Sequence, residues 1–258
     1  MRVQFLFLFV FTNLIFSQNS ALLDKISSEK IMYTEKKIHI DMMNNTYYLS
    51  KSELSKNKNL FFSDFSLGEI STVDLFNPLK LMLWYKNYNT MVVLDNFLNE
   101  IVRVNFNNIN DPNEISHVST SNENTIWVFD QLSMKIKKFD YIENSFIKGI
   151  EVLFKENIID MNSNYNFLWV ITKNHFYKIN YNGAIISESK NLGFNKVNFF
   201  KNNLLLSGSN NIYLFNIEDS VFQKINSEKL FIKDFFVINE TLYIYDEDFL
   251  NKYLILTN

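Results

Sequence analysis

A short pattern that recurs about every forty residues constrains this chain more than any other feature. In each copy a polar turn leads into an apolar segment with an aromatic or large aliphatic residue at its centre. The spacings between successive central residues are 36, 43, 42, 36 and 38 residues. A period of this length is typical of one supersecondary unit repeated in a ring or a stack. The six central residues, which we call the anchors, are Tyr48, Trp84, Trp127, Trp169, Leu205 and Tyr243.

The repeating unit is predicted to be β-structure. In the clearest copy, an apolar run around Trp169 is followed by a second run over residues 175–180, a turn, and a third run over residues 185–187. The turn contains Asn182-Gly183, and this dipeptide between apolar runs predicts a hairpin of type I′. A fourth, innermost strand should precede each anchor by several residues. The candidates for that strand are residues 70–75, 115–119, 158–161, 197–200 and 235–238.

Six units of four strands predict an all-β fold, a six-bladed β-propeller. We expect the N- and C-terminal strands to close the ring, with residues 30–40 pairing beside the last blade. Residues 22–30 carry weak helical character. A β-sandwich or barrel with Asn-rich turns is the alternative fold, because regularly spaced short strands fit those architectures too.

The N-terminus has the pattern of a secretory signal peptide. Met1-Arg2 precedes an apolar run over residues 3–16, and the chain becomes polar at Ser17. This run is shorter than the roughly 20 apolar residues that a transmembrane helix needs, although an uncleaved anchor is the alternative. We predict a signal peptide over residues 1–17 and a single propeller domain over residues 18–258. No later segment is long and apolar enough to cross a membrane, so we expect no transmembrane segment after cleavage.

Composition excludes several classes of function. The chain has no cysteine, so it has no disulfide, thiolate metal site or cysteine nucleophile. Its 25 basic and 28 acidic residues nearly balance, and Arg103 is the one arginine beyond the predicted signal peptide. Nucleic-acid readers need a basic surface and arginines for base edges, so we expect no nucleic-acid partner.

The sequence shows no constellation that predicts catalysis, metal binding or cofactor binding. A Gly-x-Ser-x-Gly motif is absent, and five glycines in the whole chain cannot build a glycine-rich phosphate loop. His39, His117 and His175 occupy different positions in their repeats, whereas a zinc site needs three or four converging ligands. We therefore assign no catalytic residue, metal ligand or cofactor.

The aromatic residues fall into two groups. The three tryptophans recur at equivalent positions, which predicts that they fill the gaps between neighbouring blades. Other aromatic residues do not follow the period and lie in predicted turns, where they are candidates for surface contacts with a partner. These binding candidates are Tyr88, Phe97, Tyr141 and Tyr165.

The repeat resembles that of bacterial extracytoplasmic propellers of the two-component-regulator and NHL types. The similarity rests on Leu168-Trp169-Val170-Ile171-Thr172 followed by Phe176-Tyr177-Lys178-Ile179-Asn180 and Gly183, and on a related copy around Trp127. It extends over residues 80 to 220. Such blades are common in envelope proteins of the Bacteroidota, and the composition is similar to theirs. The resemblance implies an exported protein but transfers no functional site, because the motif residues are structural.

These observations favour an exported, non-enzymatic propeller that acts as a protein-interaction module or scaffold. We expect its partner to be an envelope protein or outer-membrane complex, and its location to be the periplasm or the outer membrane, or alternatively outside the cell. A propeller that binds a small ligand or glycan, including a hydrolase of this kind, is the alternative. Convergent carboxylates with an aromatic platform at the central mouth would favour this alternative, and a narrow channel plugged by apolar residues would favour the scaffold.

Overall fold

The computed structural model describes residues 22–31, 37–110, 112–218, 221–225 and 230–256. Within these ranges, 24 β-strands form six four-stranded antiparallel sheets arranged as the blades of a propeller. The predicted all-β, six-bladed fold is therefore confirmed. Short 3-10 turns occur at Lys86–Tyr88 and Phe106–Asn108. In the described part of the chain, no helix has the length and apolarity needed to cross a bilayer. The predicted signal peptide lies outside it.

Blades 1 to 3 each take four consecutive strands, which follow one another from the innermost strand outward. Blade 1 contains β2 (Lys37–Ile40), β3 (Thr46–Ser50), β4 (Glu53–Lys56) and β5 (Leu60–Ser63). Blade 2 contains β6 (Thr72–Asp74), β7 (Leu81–Tyr85), β8 (Thr90–Leu94) and β9 (Glu100–Asn105). Blade 3 contains β10 (Ile115–Thr120), β11 (Thr125–Asp130), β12 (Lys135–Asp140) and β13 (Ser145–Leu153).

Blades 4 and 5 repeat this order, whereas blade 6 borrows its outermost strand from the N-terminal part of the chain. Blade 4 contains β14 (Ile158–Ser163), β15 (Phe167–Thr172), β16 (His175–Asn180) and β17 (Ile185–Lys190). Blade 5 contains β18 (Lys196–Phe200), β19 (Asn203–Gly208), β20 (Asn211–Asn216) and β21 (Val221–Lys224). Blade 6 contains β22 (Asp234–Ile238), β23 (Thr241–Tyr245), β24 (Phe249–Leu256) and β1 (Leu22–Lys30).

All six anchors lie on the second strand of a blade, and their side chains pack between blades. Trp84, Trp127 and Trp169 are almost completely buried, each in an apolar cluster that joins its own blade to the next one. Leu205 is buried in the same way between blades 5 and 6. The two anchor tyrosines are half-buried and belong to the cluster between blade 6 and blade 1. Large rings at this position fill the wedge between two twisted sheets.

The core is divided into six apolar clusters, one at each junction between neighbouring blades. Among the described residues, the cluster between blades 6 and 1 has three fully buried members, Ile38, Tyr245 and Leu250. The cluster between blades 1 and 2 has eleven. Burial of apolar area is the main stabilising term in folding, so of the residues that the structure describes, the fewest contribute such burial at the junction where the ring closes.

The ring is closed by pairing between the N- and C-terminal strands. β1 runs antiparallel to β24, from Leu22 opposite Leu256 to Lys30 opposite Phe249. The expectation that residues 30–40 make this pairing is wrong, because residues 37–40 instead form the innermost strand of blade 1. The weak helical character of residues 22–30 is overridden because the free edge of β24 offers backbone partners along its whole length.

A tyrosine side chain spans the same junction. The Tyr245 hydroxyl donates a hydrogen bond to the Ile38 carbonyl at 3.0 Å and accepts one from the Ile38 backbone amide. Ile38 and Ile40 thus lie against blade 6, as the sequence predicts, but through side-chain packing rather than by joining its sheet. Tyr33, also expected there, lies outside the described residues.

Aspartate and asparagine end the third strands for a structural reason. In blades 2 to 5 this residue accepts a hydrogen bond from the backbone amide two residues later. The four contacts are Asp95 with Phe97 at 2.8 Å, Asp140 with Ile142 at 2.9 Å, Asn180 with Asn182 at 3.0 Å, and Asn216 with Glu218 at 2.9 Å. In such Asx turns the side chain holds the chain reversal through a hydrogen bond to the nearby backbone. This local contact explains why the repeat keeps these residue types.

The turn of blade 4 differs from the type I′ hairpin predicted from Asn182-Gly183. Gly183 has a φ of +81°, whereas Asn182 is not among the residues with positive φ. The Gly183 amide donates to the Asn180 carbonyl at 2.9 Å. The turn is therefore of type I, followed by a left-handed glycine, because the Asn180 side chain already holds the first half of the turn.

Candidate functional site

The innermost strands β2, β6, β10, β14, β18 and β22 surround a central channel. We call the face at which these strands begin the front face, and the face at which they end the back face. The connections between blades and the turns between second and third strands lie on the front face. The turns between first and second strands and between third and fourth strands lie on the back face.

The strand register brings four ionisable residues to one level of this channel. Each of them lies two residues nearer the front face than the residue opposite its blade's anchor. We call this set the channel ring: His117, Asp160, Lys196 and Asp234, from blades 3, 4, 5 and 6. The corresponding residue of blade 2 is the buried Ile70, and that of blade 1 lies outside the described residues.

Members of the channel ring reach forward to the next blade. His117 hydrogen-bonds the backbone of Ile159 in blade 4. The Asp160 Oδ2 accepts a hydrogen bond from the Val197 amide in blade 5 at 2.8 Å. Lys196 forms an ion pair with Asp234 of blade 6. The ring therefore links four consecutive blades at the mouth of the channel. These contacts give the polar side chains partners in place of the water that they lose on burial.

Burial in the channel shifts the pKa values of the ring. It raises the pKa of Asp160 to about 6, although Lys196 and backbone amides favour the carboxylate. It lowers the pKa of Lys196 to about 8, an effect that Asp160 partly offsets. It lowers the pKa of His117 to about 4, with Lys86 adding to the effect. At neutral pH His117 is thus uncharged, while Asp160 and Lys196 are mostly ionised.

Blade 1 adds two further groups to the channel, Lys37 at the front end of β2 and His39 two residues nearer the back face. The ring of His39 lies 5.7 Å from that of Phe236 in blade 6, centroid to centroid. Burial lowers the pKa of His39 to about 3, and the positive charges of Lys196 and Lys37 contribute. Burial also lowers the pKa of Lys37. The channel therefore holds cations, carboxylates and neutral imidazoles within one electrostatic environment.

A cleft of about 360 Å³ opens on the front face between blades 5 and 6 and reaches the channel ring. Lys196 and Asp234 contribute to its lining, together with Asn195 and the turn at Ser209 and Asn210. About one third of the Lys196 side chain is exposed, so water enters from this side. A cleft of this size is within the range of small-molecule sites.

The back end of the channel is partly covered by two aromatic rings. Phe76 of blade 2 and Tyr165 of blade 4 pack edge to face with centroids 4.9 Å apart, across the inner end of blade 3. Nearby, the Asp74 Oδ2 accepts hydrogen bonds from the Thr120 amide at 2.9 Å and the Thr120 hydroxyl at 2.8 Å.

The aromatic residues proposed as surface contacts are not brought together. Tyr88 lies on the front face and is exposed, whereas Phe97 and Tyr165 are exposed on the back face. Tyr141 is only 6% exposed and belongs to the apolar cluster between blades 2 and 3, so it is a core residue rather than a contact residue. A turn position alone did not reveal that its ring folds inward.

The histidines are separated as well. His39 and His117 lie on innermost strands of blades 1 and 3, and His175 lies on the third strand of blade 4. His175 Nδ1 is 2.8 Å from the Glu156 Oε1. Among the residues that the structure describes, no three His, Asp or Glu side chains are grouped so as to hold a metal ion.

Sequence reasoning missed the channel ring, although a weak signal for it exists. Asp160, Lys196 and Asp234 each precede their anchor by nine residues, and His117 precedes its anchor by ten. The extra residue corresponds to a different register between first and second strands, which only the structure reveals. A charged residue recurring at a fixed offset before the anchor would have been the feature to look for.

Comparisons with known proteins agree on the fold. No family model and no curated protein matches this sequence. Among solved structures, virginiamycin B lyase from Staphylococcus aureus is similar with a TM-score of 0.61 and 12% identity, covering 85% of this chain and 80% of the lyase. A streptogramin B lyase gives a TM-score of 0.58 at 10% identity, covering 89% of this chain and 98% of the other.

A third similar structure comes from a different functional context. The WD40 domain of Pan2 from Neurospora crassa has a TM-score of 0.59 and 9% identity, covering 88% of this chain and 81% of that domain. At such low identity, these similarities establish a propeller fold and carry no activity from one protein to another.

Proposed function

We propose that this protein is a non-enzymatic binding module that takes its partner on the front face, over the mouth of the central channel. The observation that carries a binding role is the channel ring, in which four successive blades place ionisable side chains at one level. Its two carboxylates, Asp160 and Asp234, also meet part of the expectation for a ligand-binding propeller, so a small ligand at the same face is the second candidate function. Groups with shifted pKa values gathered in a concave site are typical of functional sites. We propose an envelope protein or outer-membrane complex as the partner.

Exposed apolar side chains on the loops support a protein partner, but they do not select the face, because back-face turns also expose large apolar residues such as Met43, Leu79 and Phe97. Large apolar side chains are exposed in front-face connections of several blades, foremost Phe65, which is 82% exposed. Exposed aromatic and large aliphatic residues are favoured at the centres of protein interfaces. The others on this face are Tyr88, Leu132, Leu192 and Phe231.

Binding rather than catalysis is supported by the contact between Ser116 and His117, one of the contacts among the described residues that resemble a catalytic pair. The Ser116 hydroxyl lies 2.9 Å from His117 Nδ1. Ser116 is buried, and burial lowers the pKa of His117 to about 4, so this imidazole is a weak base at neutral pH. Two of the similar structures are named as lyases, and we do not propose a lyase activity for this chain.

Differential crosslinking tests the choice of face. We would crosslink the wild-type protein in native envelopes and compare it with Phe65→Asp combined with Leu132→Asp. The matched control is Phe97→Asp, since Phe97 is 63% exposed on the back face. We expect the front-face variant to lose the crosslinked partner and the control to keep it. Loss with Phe97→Asp alone would move the partner to the back face and overturn the proposal.

We also propose that the protein is exported, with residues 1–17 removed as a signal peptide. The support is the sequence pattern of one positive charge, a short apolar run and small polar residues. N-terminal sequencing of protein isolated from its native source should begin at Gln18 or shortly after it. A sequence that begins at Met1 would contradict export by this route.

A further inference from the structure

The cleft between blades 5 and 6 has the polar lining of a ligand site. Its lining includes Lys196 and Asp234 of the channel ring, which pair with each other. Its wall includes Gly208. A Cβ atom at this position would lie 2.4 Å from the Gly193 carbonyl oxygen, so the backbone of the Gly193 loop packs directly against this side of the cleft. This close approach gives the cleft a fixed wall.

Its lining presents donors and acceptors in balance. The ammonium groups of Lys196 and Lys233 donate, and the carboxylate of Asp234 accepts. Lys233 also pairs with Glu247 outside the cleft at 3.2 Å, so no single sign of charge dominates. The one large apolar side chain of the lining is Ile232. An apolar ligand would remove these ion pairs from water without offering them hydrogen bonds in return, and a single-sign ion would compete with an ion pair already formed.

An exposed aromatic ring stands next to this lining. Phe231 is 54% exposed and directly precedes Ile232 in the connection between blades 5 and 6. The Lys233 Nζ lies 5.6 Å from the centroid of its ring. A flat apolar surface beside hydrogen-bonding groups suits a ligand with one apolar face and a hydroxyl-bearing rim.

We propose that this cleft binds a small, uncharged, hydroxyl-rich molecule, namely a mono- or disaccharide. Sugar hydroxyls both donate and accept hydrogen bonds, so they add hydrogen bonds to both members of the Lys196–Asp234 ion pair without breaking it and without adding net charge to the site. The cleft volume of about 360 Å³ accommodates such a molecule. This site shares the front face with the proposed protein partner but does not depend on one, because free sugar needs no partner to bind.

Saturation-transfer NMR and calorimetry on the chain without residues 1–17 test the proposal directly. The probes are glucose, galactose, N-acetylglucosamine and maltose, with glycine, acetate and methylammonium as zwitterionic, anionic and cationic comparisons. We expect at least one sugar to bind, and Asp234→Asn to weaken that binding by about tenfold or more, as loss of a charged hydrogen-bond partner does. Phe231→Ala should weaken it too, with no effect on folding because Phe231 is exposed.

The chain offers a matched control on the opposite face. Lys201 and Glu240 form an ion pair at 2.8 Å between the same two blades at the back face. Glu240→Gln should leave sugar binding unchanged, and so should Phe97→Ala. Absence of binding by every sugar at concentrations well above millimolar would overturn the proposal. Preferential binding of acetate or methylammonium, or equal losses in Asp234→Asn and Glu240→Gln, would overturn it as well.

Discussion

Trp127 and Trp169 show how a single side chain joins two blades. Trp169 of blade 4 stacks on Phe199 of blade 5 with centroids 5.5 Å apart. Trp127 lies under the Lys138 Nζ, 5.4 Å from the ring centroid, and packs with apolar residues of blade 4. These contacts explain why tryptophan recurs with the period of the repeat, because each ring fills the gap between two neighbouring sheets.

Truncating either tryptophan should strongly destabilise the fold. We expect Trp127→Ala and Trp169→Ala each to lower the free energy of unfolding by about 3–5 kcal/mol, as deletion of a large buried ring does. Urea unfolding measures the change. Phe97→Ala, at an exposed back-face turn, is the control and should stay within about 0.5 kcal/mol of wild type. Equal, small losses at all three positions would show that the tryptophans do not hold the blades together.

The buried histidines predict how stability depends on pH. The pKa values of His39 and His117 in the folded protein, about 3 and about 4, lie below the ordinary value of 6.5. Between these values the unfolded chain takes up protons that the folded chain does not, so stability falls as the pH is lowered from 6.5 towards 4. Asp160 opposes part of this loss, because its folded pKa of about 6 lies above the ordinary value of 3.8.

Replacing one histidine should flatten this dependence. We expect His117→Gln to lose less of its free energy of unfolding between pH 7 and pH 5 than the wild type does. Urea unfolding at the two pH values, at constant ionic strength, measures the difference. An equal drop for wild type and variant would mean that His117 is not held neutral by burial.

The hairpin turns show why asparagine and aspartate recur in each blade. In blade 4 the Asn180 Oδ1 accepts hydrogen bonds from the Asn182 amide at 3.0 Å and the Ala184 amide at 2.9 Å. The neighbouring Asn182 is exposed in the same turn. The two residues are both asparagine, but the side chain of Asn180 holds the hairpin turn and that of Asn182 is exposed.

A pair of substitutions in this turn separates the two contributions. Asn180→Ala should cost about 1–3 kcal/mol, because two hydrogen bonds contribute roughly 0.5–1.5 kcal/mol each. Asn182→Ala should stay within about 0.5 kcal/mol, as surface changes do. Thermal or urea unfolding of the two variants provides the comparison. Similar effects at both positions would show that the side chain of Asn180 does not organise the turn.

The strands could be predicted from the sequence because they depend on local patterns. Alternating apolar residues, Asn-rich turns and the forty-residue period all repeat in a continuous stretch of chain. The predicted innermost segments 115–119 and 235–238 lie within one or two residues of β10 and β22. Strand β1 was not predictable in this way, because its partner β24 lies at the other end of the chain and overrides its local propensity.

The channel ring could not be predicted for a related reason. Its four members become neighbours through the register of separate sheets, and irregularities at Ile115/His117 and Ile158/Asp160 alter that register. Register follows from packing of a whole sheet against its neighbours, so a single sequence does not specify it. Tyr141 illustrates the same limit, since only tertiary packing decides that this turn residue is buried.

Closure of the ring holds the whole molecule together and fixes the positions of the blades around the channel. In the described part of the chain, the apolar cluster at the junction of blades 6 and 1 has three buried members, and the pairing of β1 with β24 closes the ring beside it. In the same pairing, the Ser28 hydroxyl donates to the Asn251 Oδ1 at 2.7 Å. A closed ring fixes the angles between successive blades and so contributes to the preorganisation of both proposed sites.

A disulfide between the two terminal strands tests this closure most directly. The chain has no cysteine, so Ser28→Cys with Asn251→Cys would introduce its only thiols. Ser28 and Asn251 are directly opposite in an antiparallel pair, and such Cα separations of about 4.5–5.5 Å fall within disulfide range. The control pair is Asp24→Cys with Asn251→Cys, because Asp24 pairs instead with Leu254. Mild oxidation followed by mass spectrometry should find an intramolecular disulfide in the first protein and none in the control. Absence of that disulfide, its formation only between molecules, or equal yields in both proteins would contradict the closed six-bladed ring.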